Sequence, residues 1–362
     1  MKYSVPAPHH SDSVHLVTGG DRRYFQGIQM TVASALMRIP SNRHVVFHIL
    51  DGGLTDDNRR SLESLASQLH QYSTLNFHDV SEILPQGATP GPGNSVIAYG
   101  RIWMGSLLSD IDKVIYLDSD TLVLGDLSHL WDIDLQEYST LACSDIKIAS
   151  LSGDTAGPLS ENEKSLPYFN SGVLVVDLSK WREIQIERRA LDLIADPKCT
   201  YRWHDQTILN YLLRGTIGVI PAEWNWMARD FPTGDNLSVN LIHYTNSNKP
   251  WNYWGNDLRF QLWRETYRVL FGSPLRMFVT AGASQGLACG LFDSAVEHFS
   301  PLRSIYLGCL KTILLLSSDS NKKGVLNQKI KFLSRLRNTD SEADQMNFLK
   351  KFQKDLLSAV NK

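Results

Sequence analysis

The first 120 residues alternate short apolar runs with segments in which apolar residues recur at helical spacing. The apolar runs predict strands, because β-branched and aliphatic residues follow one another with few polar residues between them. The segments between them predict amphipathic helices, with Pro40 ending the first and Thr55 capping the second. The predicted strands cover 14–17, 45–50, 74–78 and 113–117, and the predicted helices cover 24–39, 55–69 and 96–108.

Near-continuous apolar strands are typical of parallel strands buried on both faces. Their alternation with helices therefore predicts an α/β open sheet with helices on both faces. Such sheets bind ligands at the carboxyl ends of their strands. The Gly-rich segment 18–21, predicted as a turn, and the triplet 118–120 both follow predicted strands, so we expect them at one edge.

Beyond residue 120 the alternation is looser. The pattern predicts strands at 172–177 and 239–244, a helix opening near residue 179, and a helix at 264–273. We therefore predict a catalytic domain over 1–274 and a mostly helical extension over 275–362. The last segment has one apolar helical face, formed by Met346, Leu349, Phe352, Leu356 and Val360.

Charge is unevenly distributed along the chain. The net charge is −2, but residues 301–362 carry 12 Lys and Arg against 5 Asp and Glu, or +7, which leaves −9 for residues 1–300. A net negative charge over residues 1–300 gives no basic surface for nucleic acid, so we expect no nucleic-acid partner. The basic extension favours peripheral contact with an anionic membrane, although its apolar face could equally pack on the catalytic domain.

The four cysteines stand at 143, 199, 289 and 309, and no two of them form a C-x-x-C pair. Neither a zinc ribbon nor a disulfide-stapled fold is expected from this spacing. The first 14 residues lack an apolar signal sequence, and the longest apolar stretch is too short to span a bilayer. We therefore expect a cytoplasmic protein, with contact to the inner face of a membrane as the alternative that the basic extension leaves open.

The segment Asp118-Ser119-Asp120 is the first candidate for chemistry. In an extended strand end, residues i and i+2 point to the same side, so both carboxylates would face the ligand edge. Two adjacent carboxylates favour a cation between them, and oxygen ligands suit Mg²⁺ or Mn²⁺. His243, at the end of a predicted strand, is a candidate third ligand whose imidazole favours Mn²⁺. Lys249 follows His243 by six residues in the sequence and is a candidate to contact a phosphate oxygen.

Two polar triplets stand at the starts of predicted elements. Asn170-Ser171-Gly172 precedes an apolar strand, and His204-Asp205-Gln206 precedes an apolar helix. Polar residues at such positions either cap the element or contribute to a binding site, and the pattern alone leaves both interpretations open.

Five segments, in this order, resemble the retaining sugar-nucleotide glycosyltransferases of family 8, which include bacterial lipopolysaccharide glucosyl- and galactosyltransferases and glycogenin. Together they span roughly residues 14–255. The segments are Thr18-Gly19-Gly20-Asp21-Arg22-Arg23-Tyr24, Tyr116-Leu117-Asp118-Ser119-Asp120, Phe169-Asn170-Ser171-Gly172-Val173, His204-Asp205-Gln206, and His243 through Lys249-Pro250-Trp251.

The resemblance implies a Rossmann-like mixed sheet flanked by helices, of the kind called GT-A. It implies that Asp118, Asp120 and His243 bind Mn²⁺, with Mg²⁺ as the substitute. Asp205 and Gln206 are the implied catalytic residues at the donor sugar. The implied donor-binding residues are Thr18, Gly19, Asp21, Tyr24, Arg101, Ser119, Asp145, Asn170 and Lys249. Arg23 departs from the family pattern and puts the detailed nucleotide contacts there in question.

The implied activity is Mn²⁺-dependent transfer of glucose or galactose from a UDP-sugar to a glycan or glycolipid, with retention at C1. Retention follows either from same-face attack, which we favour, or from double displacement, for which Asp205 is the nearby carboxylate. Acceptor specificity is expected in loops 150–168 and 225–237, where Trp224 and Trp226 are candidates to stack on a sugar.

Two alternatives belong to other classes. The segment from Leu117 to Thr121 also resembles the D-x-D-x-T motif of haloacid-dehalogenase-type phosphatases, in which Asp118 would attack phosphate. The second alternative is a non-catalytic nucleotide- or glycan-binding protein on the same fold.

Overall fold

A computed structural model describes residues 13–83, 88, 96–227, 239–245, 248–252 and 258–271. The chain forms two compact units. The first comprises residues 1–228 and 239–247, and the second comprises residues 229–238 and 248–362.

A seven-stranded mixed sheet forms the centre of the first unit. Its strands are β1 (Val14–Gly20), β2 (Val45–Asp51), β3 (Ser73–Asp79), β4 (Lys113–Leu117), β6 (Thr140–Ser144), β7 (Phe169–Asp177) and β8 (Ile217–Val219). They lie in the order β3-β2-β1-β4-β7-β6-β8. The first four strands in this order are parallel to one another, β7 is antiparallel to both β4 and β6, and β8 is parallel to β6.

Helices cover both faces of this sheet, as the sequence predicts. Residues that alternate along β1 belong to two different cores: Leu16 packs in the one that includes Ile28 and Val32, and Val17 in the one that includes Trp181. The α-helices of this unit are α1 (Phe25–Leu36), α2 (Asp56–Leu69), α3 (Met104–Leu107), α4 (Ser128–Trp131), α5 (Glu161–Lys164), α6 (Leu178–Glu183), α7 (Ile186–Ala195) and α8 (Asp205–Leu212). Short 3₁₀ helices lie at Arg22–Tyr24, Ile97–Trp103, Leu151–Gly153 and Ala222–Trp224.

A second, two-stranded sheet positions the candidate site. Strand β5 (Thr121–Val123) pairs antiparallel with β9 (Leu241–His243), and Thr121 stands opposite His243. The backbone N–H of Tyr244 donates to the carbonyl of Asp120 at 2.9 Å. This pairing brings a strand from late in the chain to the residues that follow β4.

Some local expectations were wrong. Gly19 and Gly20 continue β1, paired with Leu50 and Asp51 of β2, instead of forming a turn. The predicted helix at 96–108 is mostly a 3₁₀ helix that ends in the single turn of α3. Strands β5, β6 and β8 were not predicted, because three to five residues give too short a pattern to identify.

Within the second unit, α9 (Leu258–Phe271) begins six residues before the predicted start at 264. Aromatic rings follow one another along it: the centroids of Trp263 and Tyr267 are 5.0 Å apart, and those of Tyr267 and Phe271 are 4.4 Å apart. The predicted boundary at 274 and the predicted extension at 275–362 lie outside the described residues and stay predictions. None of the helices that the structure describes is both long and apolar enough to cross a membrane.

Candidate active site

Asp118 and Asp120 lie in the tight turn between β4 and β5, not in an extended strand end. The side-chain hydroxyl of Thr121 donates to the carbonyl of Asp118 at 2.8 Å and closes the turn. The Thr31 hydroxyl, on α1, donates to the carbonyl of Thr121 at 3.1 Å and so fixes the turn to this helix. The predicted convergence of the two carboxylates is therefore achieved by a different backbone conformation.

His243 completes a cluster with the two carboxylates. Its Nε2 lies 3.5 Å from Asp118 Oδ2 and 3.2 Å from Asp120 Oδ1. One ligand atom from each of these three residues lies within 4.8 Å of the other two. His243 and Asp120 are buried, whereas Asp118 is partly exposed. The structure thus brings together the three residues that the sequence analysis assigned to a metal.

The opposite nitrogen of His243 is fixed by Asn225. His243 Nδ1 lies 2.9 Å from Asn225 Oδ1, so the Nδ1–H donates to this oxygen and Nε2 is the ring nitrogen that faces the carboxylates. Metal-binding histidines are commonly oriented by such a second hydrogen bond. Sequence reasoning missed Asn225, which no motif marks.

The side chains of His243 and Asp118 lie so close to the backbone of residue 172 that only glycine fits there. A Cβ there would overlap the imidazole ring of His243 and would lie 2.8 Å from Asp118 Oδ2. The backbone N–H of Asp118 also donates to the carbonyl of Gly172 at 2.8 Å. The Asn-Ser-Gly triplet lies inside β7, whereas the sequence analysis predicted that it precedes the strand. The contacts of position 172 show that its glycine is needed for the cluster to pack.

Arg101 and Tyr116 hold the other oxygen of Asp118. Arg101 Nη2 donates to Asp118 Oδ1 at 2.8 Å, and the Tyr116 hydroxyl donates to the same oxygen at 2.9 Å. The guanidinium carbon of Arg101 stands 4.5 Å from the centroid of the Tyr116 ring. Because Oδ1 already accepts two hydrogen bonds, Oδ2 is the oxygen oriented toward His243.

Arg101 also pairs with Asp205, the first residue of α8, at 3.0 Å between Nε and Oδ2. Both side chains are buried, and the single positive charge of Arg101 is shared between the two carboxylates. Burial raises the pKa of Asp205 to about 6 despite this partner. His204, just before Asp205, has a positive φ of 57°, a conformation that non-glycine residues rarely adopt.

A hydrogen-bonded network joins Asp145, Asn170 and Gln206. Asn170 Nδ2 donates to Gln206 Oε1 at 3.1 Å and to Asp145 Oδ2 at 3.3 Å. Gln206 Nε2 donates to Asp145 Oδ2 at 3.3 Å. Asn225 Nδ2 donates to Asn170 Oδ1 at 2.9 Å and so joins this network to His243. The predicted sugar-contacting residues are therefore continuous with the metal cluster.

The segment 18–24 lies at the carboxyl end of β1, next to the end of β4. Thr18 is fully buried, and its hydroxyl has no hydrogen-bond partner among the described residues. Asp21 accepts from the backbone N–H of Arg23 at 2.8 Å and forms an ion pair with the Arg23 side chain. Arg23, which departs from the family pattern, thus pairs with Asp21, a predicted nucleotide contact. Tyr24 ends the short 3₁₀ helix, and Ser119 is buried in the turn between the two aspartates.

Two other predictions have different outcomes. Trp224 is 6% exposed and belongs to the hydrophobic core, so its predicted stacking on an acceptor sugar is wrong. Trp226, by contrast, is half-buried. Lys249 belongs to the second unit, where its backbone N–H donates to Asn252 Oδ1 at 2.9 Å.

Electrostatics at the cluster favour a bound cation. Burial alone would lower the pKa of His243, but Asp120 and Asp118 outweigh it and raise that pKa to about 9. Burial opposes ionisation of Asp118, yet Arg101 holds its pKa below the ordinary value. Two carboxylate oxygens and one imidazole nitrogen fit Mn²⁺ or Mg²⁺, and the nitrogen favours the former.

Comparison with known proteins gives a consistent result. A family model described as "Glycosyl transferase family 8" matches residues 15–255. A lipopolysaccharide 1,2-glucosyltransferase of Escherichia coli (strain K12) is 26% identical over 67% of this chain and 74% of its own length. A lipopolysaccharide 1,3-galactosyltransferase of Salmonella typhimurium (strain LT2) is 24% identical over 70% of this chain and 78% of its own.

The fold has a counterpart among solved structures. The galactosyltransferase LgtC, crystallised with donor and acceptor sugar analogues, superimposes with a TM-score of 0.57 at 24% identity. The match covers 69% of this chain and 95% of that one. This likeness supports the GT-A-like arrangement of the mixed sheet.

Proposed function

The chain belongs to glycosyltransferase family 8, a family of retaining hexosyltransferases, and from that premise we propose that it transfers glucose or galactose from a UDP-sugar to a saccharide or glycolipid acceptor in a Mn²⁺-dependent reaction. The convergence of Asp118, Asp120 and His243 is the observation that carries the proposal. The two relatives named above act with glucose and galactose respectively, which supports these two donor sugars. Family membership displaces both the phosphatase and the non-catalytic alternative.

In this proposal Asp118, Asp120 and His243 hold the metal ion, and Mg²⁺ is the substitute. A bound divalent ion supplies charge that stabilises the diphosphate as it leaves. Arg101 and Tyr116 set the orientation of Asp118, while Asn225 sets that of His243. These hydrogen bonds fix the orientation in which the side chains of Asp118 and His243 would receive the ion.

The donor is assigned to the residues that the family resemblance implies. Thr18, Gly19, Asp21 and Tyr24 are assigned to the uridine, and Ser119 and Lys249 to the diphosphate. The donor sugar is assigned to Asp145, Asn170, Asp205 and Gln206, together with Arg101. The network from His243 through Asn225 and Asn170 to Gln206 supports this assignment, because it connects the diphosphate end of the site to the sugar end.

For the chemical step we favour attack on the same face of the sugar. The bond between C1 and the phosphate oxygen breaks, and its electron pair leaves with UDP. The acceptor hydroxyl oxygen bonds to C1 from the same side, and its proton passes to an oxygen of the departing diphosphate. Asp205, the alternative nucleophile, is buried and paired with Arg101, which makes its carboxylate poorly available for double displacement. Gln206 is instead held to orient the sugar.

Release of UDP tests the proposed function. Purified protein is incubated with UDP-glucose or UDP-galactose and a mixed glycan acceptor, with Mn²⁺ or with EDTA. We expect UDP from one of the two donors with Mn²⁺ and a loss of at least a hundredfold with EDTA. Equal release after verified removal of the metal would reject metal dependence, and no release from either donor would reject the assigned sugars.

A further inference from the structure

Two exposed large apolar side chains lie near Asp145 and Gln206 in the chain. Among the large apolar side chains that the structure describes, four are exposed: Ile146, Leu191, Trp203 and Val219. Two of these flank the site, with Ile146 57% exposed and Trp203 39% exposed. An aromatic side chain left in water beside a binding site indicates a ligand surface.

Hydrogen bonds fix the backbone under both side chains. Asp145 Oδ1 accepts from the N–H groups of Lys147 at 2.8 Å and Ile148 at 3.1 Å, while Asp145 Oδ2 accepts from Gln206. On the other side, the N–H of Gln206 donates to the carbonyl of Trp203 at 3.1 Å. The N–H of Trp203 donates to the hydroxyl of Thr207 at 2.9 Å. Both exposed segments are therefore anchored to the same residues that line the site.

Two exposed cations stand close to the Trp203 ring. Lys147 Nζ and the guanidinium carbon of Arg202 each lie 5.8 Å from its centroid. An indole flanked by two positive charges combines an apolar face with an anion-binding edge. We call Ile146, Lys147, Arg202 and Trp203 together the Trp203 platform.

We propose that the Trp203 platform is the acceptor subsite and that it selects saccharides carrying an anionic group, either a phosphate or a uronic carboxylate. The C–H face of a sugar ring stacks on the indole, and the anionic group is bound by Lys147 and Arg202 through charge-assisted hydrogen bonds. The inference rests on the proposed function, because Gln206 must mark the position of the donor sugar. Its backbone bond to Trp203 then places the acceptor ring beside the carbon to be attacked.

A cavity adjoins the platform at Arg202. It has a volume of about 450 Å³ and lies between the end of α7 and Arg202, which lines it with Tyr201 and Thr200. This volume is within the range of small-molecule sites. Asp196 also lines it, but its Oδ1 accepts from the N–H of Lys198 at 2.9 Å. The cavity gives room for a second sugar unit beyond the charged one.

A glycan array tests the proposal directly. The array carries matched oligosaccharides in neutral, uronic-acid and phosphorylated forms, and the full chain is applied with Mn²⁺ and UDP. Saturating UDP occupies the donor site, so a phosphorylated glycan cannot bind there in its place. We expect at least tenfold more protein on charged glycans than on their neutral counterparts at low salt, and a smaller preference at 0.5 M salt.

Variants assign the preference to residues. The double variant Lys147→Gln/Arg202→Gln should lose the preference for charged glycans, and Trp203→Ala should lose binding to both forms. The matched controls, Arg60→Gln/Lys164→Gln and Leu191→Ala, also remove exposed charged or apolar side chains and should keep the wild-type pattern. Thermal unfolding checks each variant, and Trp203→Leu, which fills the position without an aromatic face, replaces Trp203→Ala if the latter unfolds.

The outcomes separate this inference from the proposed function. If UDP does not bind in the presence of Mn²⁺, the proposed function fails and the inference falls with it. If UDP binds but charged and neutral glycans are retained equally, or no glycan is retained, only the inference is overturned. The inference is also overturned if Arg60→Gln/Lys164→Gln loses the preference for charged glycans as completely as Lys147→Gln/Arg202→Gln does. It is overturned likewise if Trp203→Ala reduces binding to anionic liposomes but to no glycan.

Discussion

Asn225 shows how a residue without a recognisable motif can control the site. It accepts from His243 Nδ1 and donates to Asn170, and it is buried between them. The first bond selects the histidine tautomer whose Nε2 can bind a metal. The second joins His243 to the hydrogen-bonded network of Asp145, Asn170 and Gln206. One amide therefore aligns two parts of the site.

Replacing Asn225 with Ala should weaken the binding of Mn²⁺ by ten- to a hundredfold, because the imidazole loses the bond that orients it. The affinity is measured by electron paramagnetic resonance of free Mn²⁺ during titration of the protein with UDP present. Asn76→Ala, at an exposed position of β3, is the matched control and should bind as the wild type does. An unchanged affinity in a folded Asn225→Ala variant would contradict the role assigned to this residue.

The sequence made the cluster of Asp118, Asp120 and His243 predictable, because each of these residues follows or ends an apolar strand of an α/β fold. It did not reveal Asn225, whose partners are 18 and 55 positions away in the chain. Trp224 was misjudged for the same reason. Its neighbours in sequence are polar, but its three-dimensional neighbours are the side chains of the core. Long-range contacts, not local pattern, decide both cases.

At the scale of elements, a row of histidines crosses the sheet from β1 to β3. His15 Nδ1 lies 3.1 Å from His48 Nε2, and His48 Nδ1 lies 3.1 Å from His78 Nε2. A neutral His48 donates with one ring nitrogen and accepts with the other, so both contacts of the row form without any charged ring. Burial, followed by repulsion from the other two rings, lowers the pKa of His48 to about 3.

This row should make the fold sensitive to acid. The unfolded chain takes up protons near pH 6.5, whereas folded His48 stays neutral, so stability falls as pH decreases from 6.5 toward 3. The loss from His48 is about 1 kcal/mol between pH 6 and 5. Urea unfolding at each pH measures it. His48→Gln should flatten the dependence in this range, and an identical slope in both proteins would contradict the interpretation.

Elements with a long, periodic sequence pattern were predicted well. Short strands that form only because another strand pairs with them were not. Helix α2 begins where Thr55 predicts, and its hydroxyl accepts from the N–H of Asn58 at 3.2 Å. Strand β5 has only three residues and exists because β9 pairs with it. Likewise, the orientation of β7 follows from its connections, because an apolar run does not distinguish a parallel from an antiparallel strand.

For the whole molecule, the uneven charge leads to a prediction about location. Residues 301–362 carry a balance of +7, and a lipid-linked acceptor would make contact with a membrane useful. Each basic residue near an anionic leaflet contributes about 1 kcal/mol at best. We expect the full chain to co-sediment with anionic liposomes at low salt and to be released at high salt. No co-sedimentation at low salt would contradict the prediction.

A truncated chain lacking residues 320–362 separates docking from packing. If the extension only docks, the truncated protein should lose liposome binding but keep its melting temperature and its activity on a small acceptor. If it packs on the catalytic domain, truncation should lower the melting temperature by several degrees.

The central claim is that Asp118, Asp120 and His243 form one metal site that serves a UDP-sugar. Its most direct test is the stoichiometry and affinity of Mn²⁺ binding by paramagnetic resonance in the presence of UDP, for the wild type and for Asp120→Asn and His243→Ala. Asp110→Asn, at an exposed position, is the control. We predict one Mn²⁺ per wild-type and control chain, and at least a hundredfold weaker binding in both site variants. Undiminished binding of one Mn²⁺ in folded Asp120→Asn and His243→Ala proteins would contradict the account.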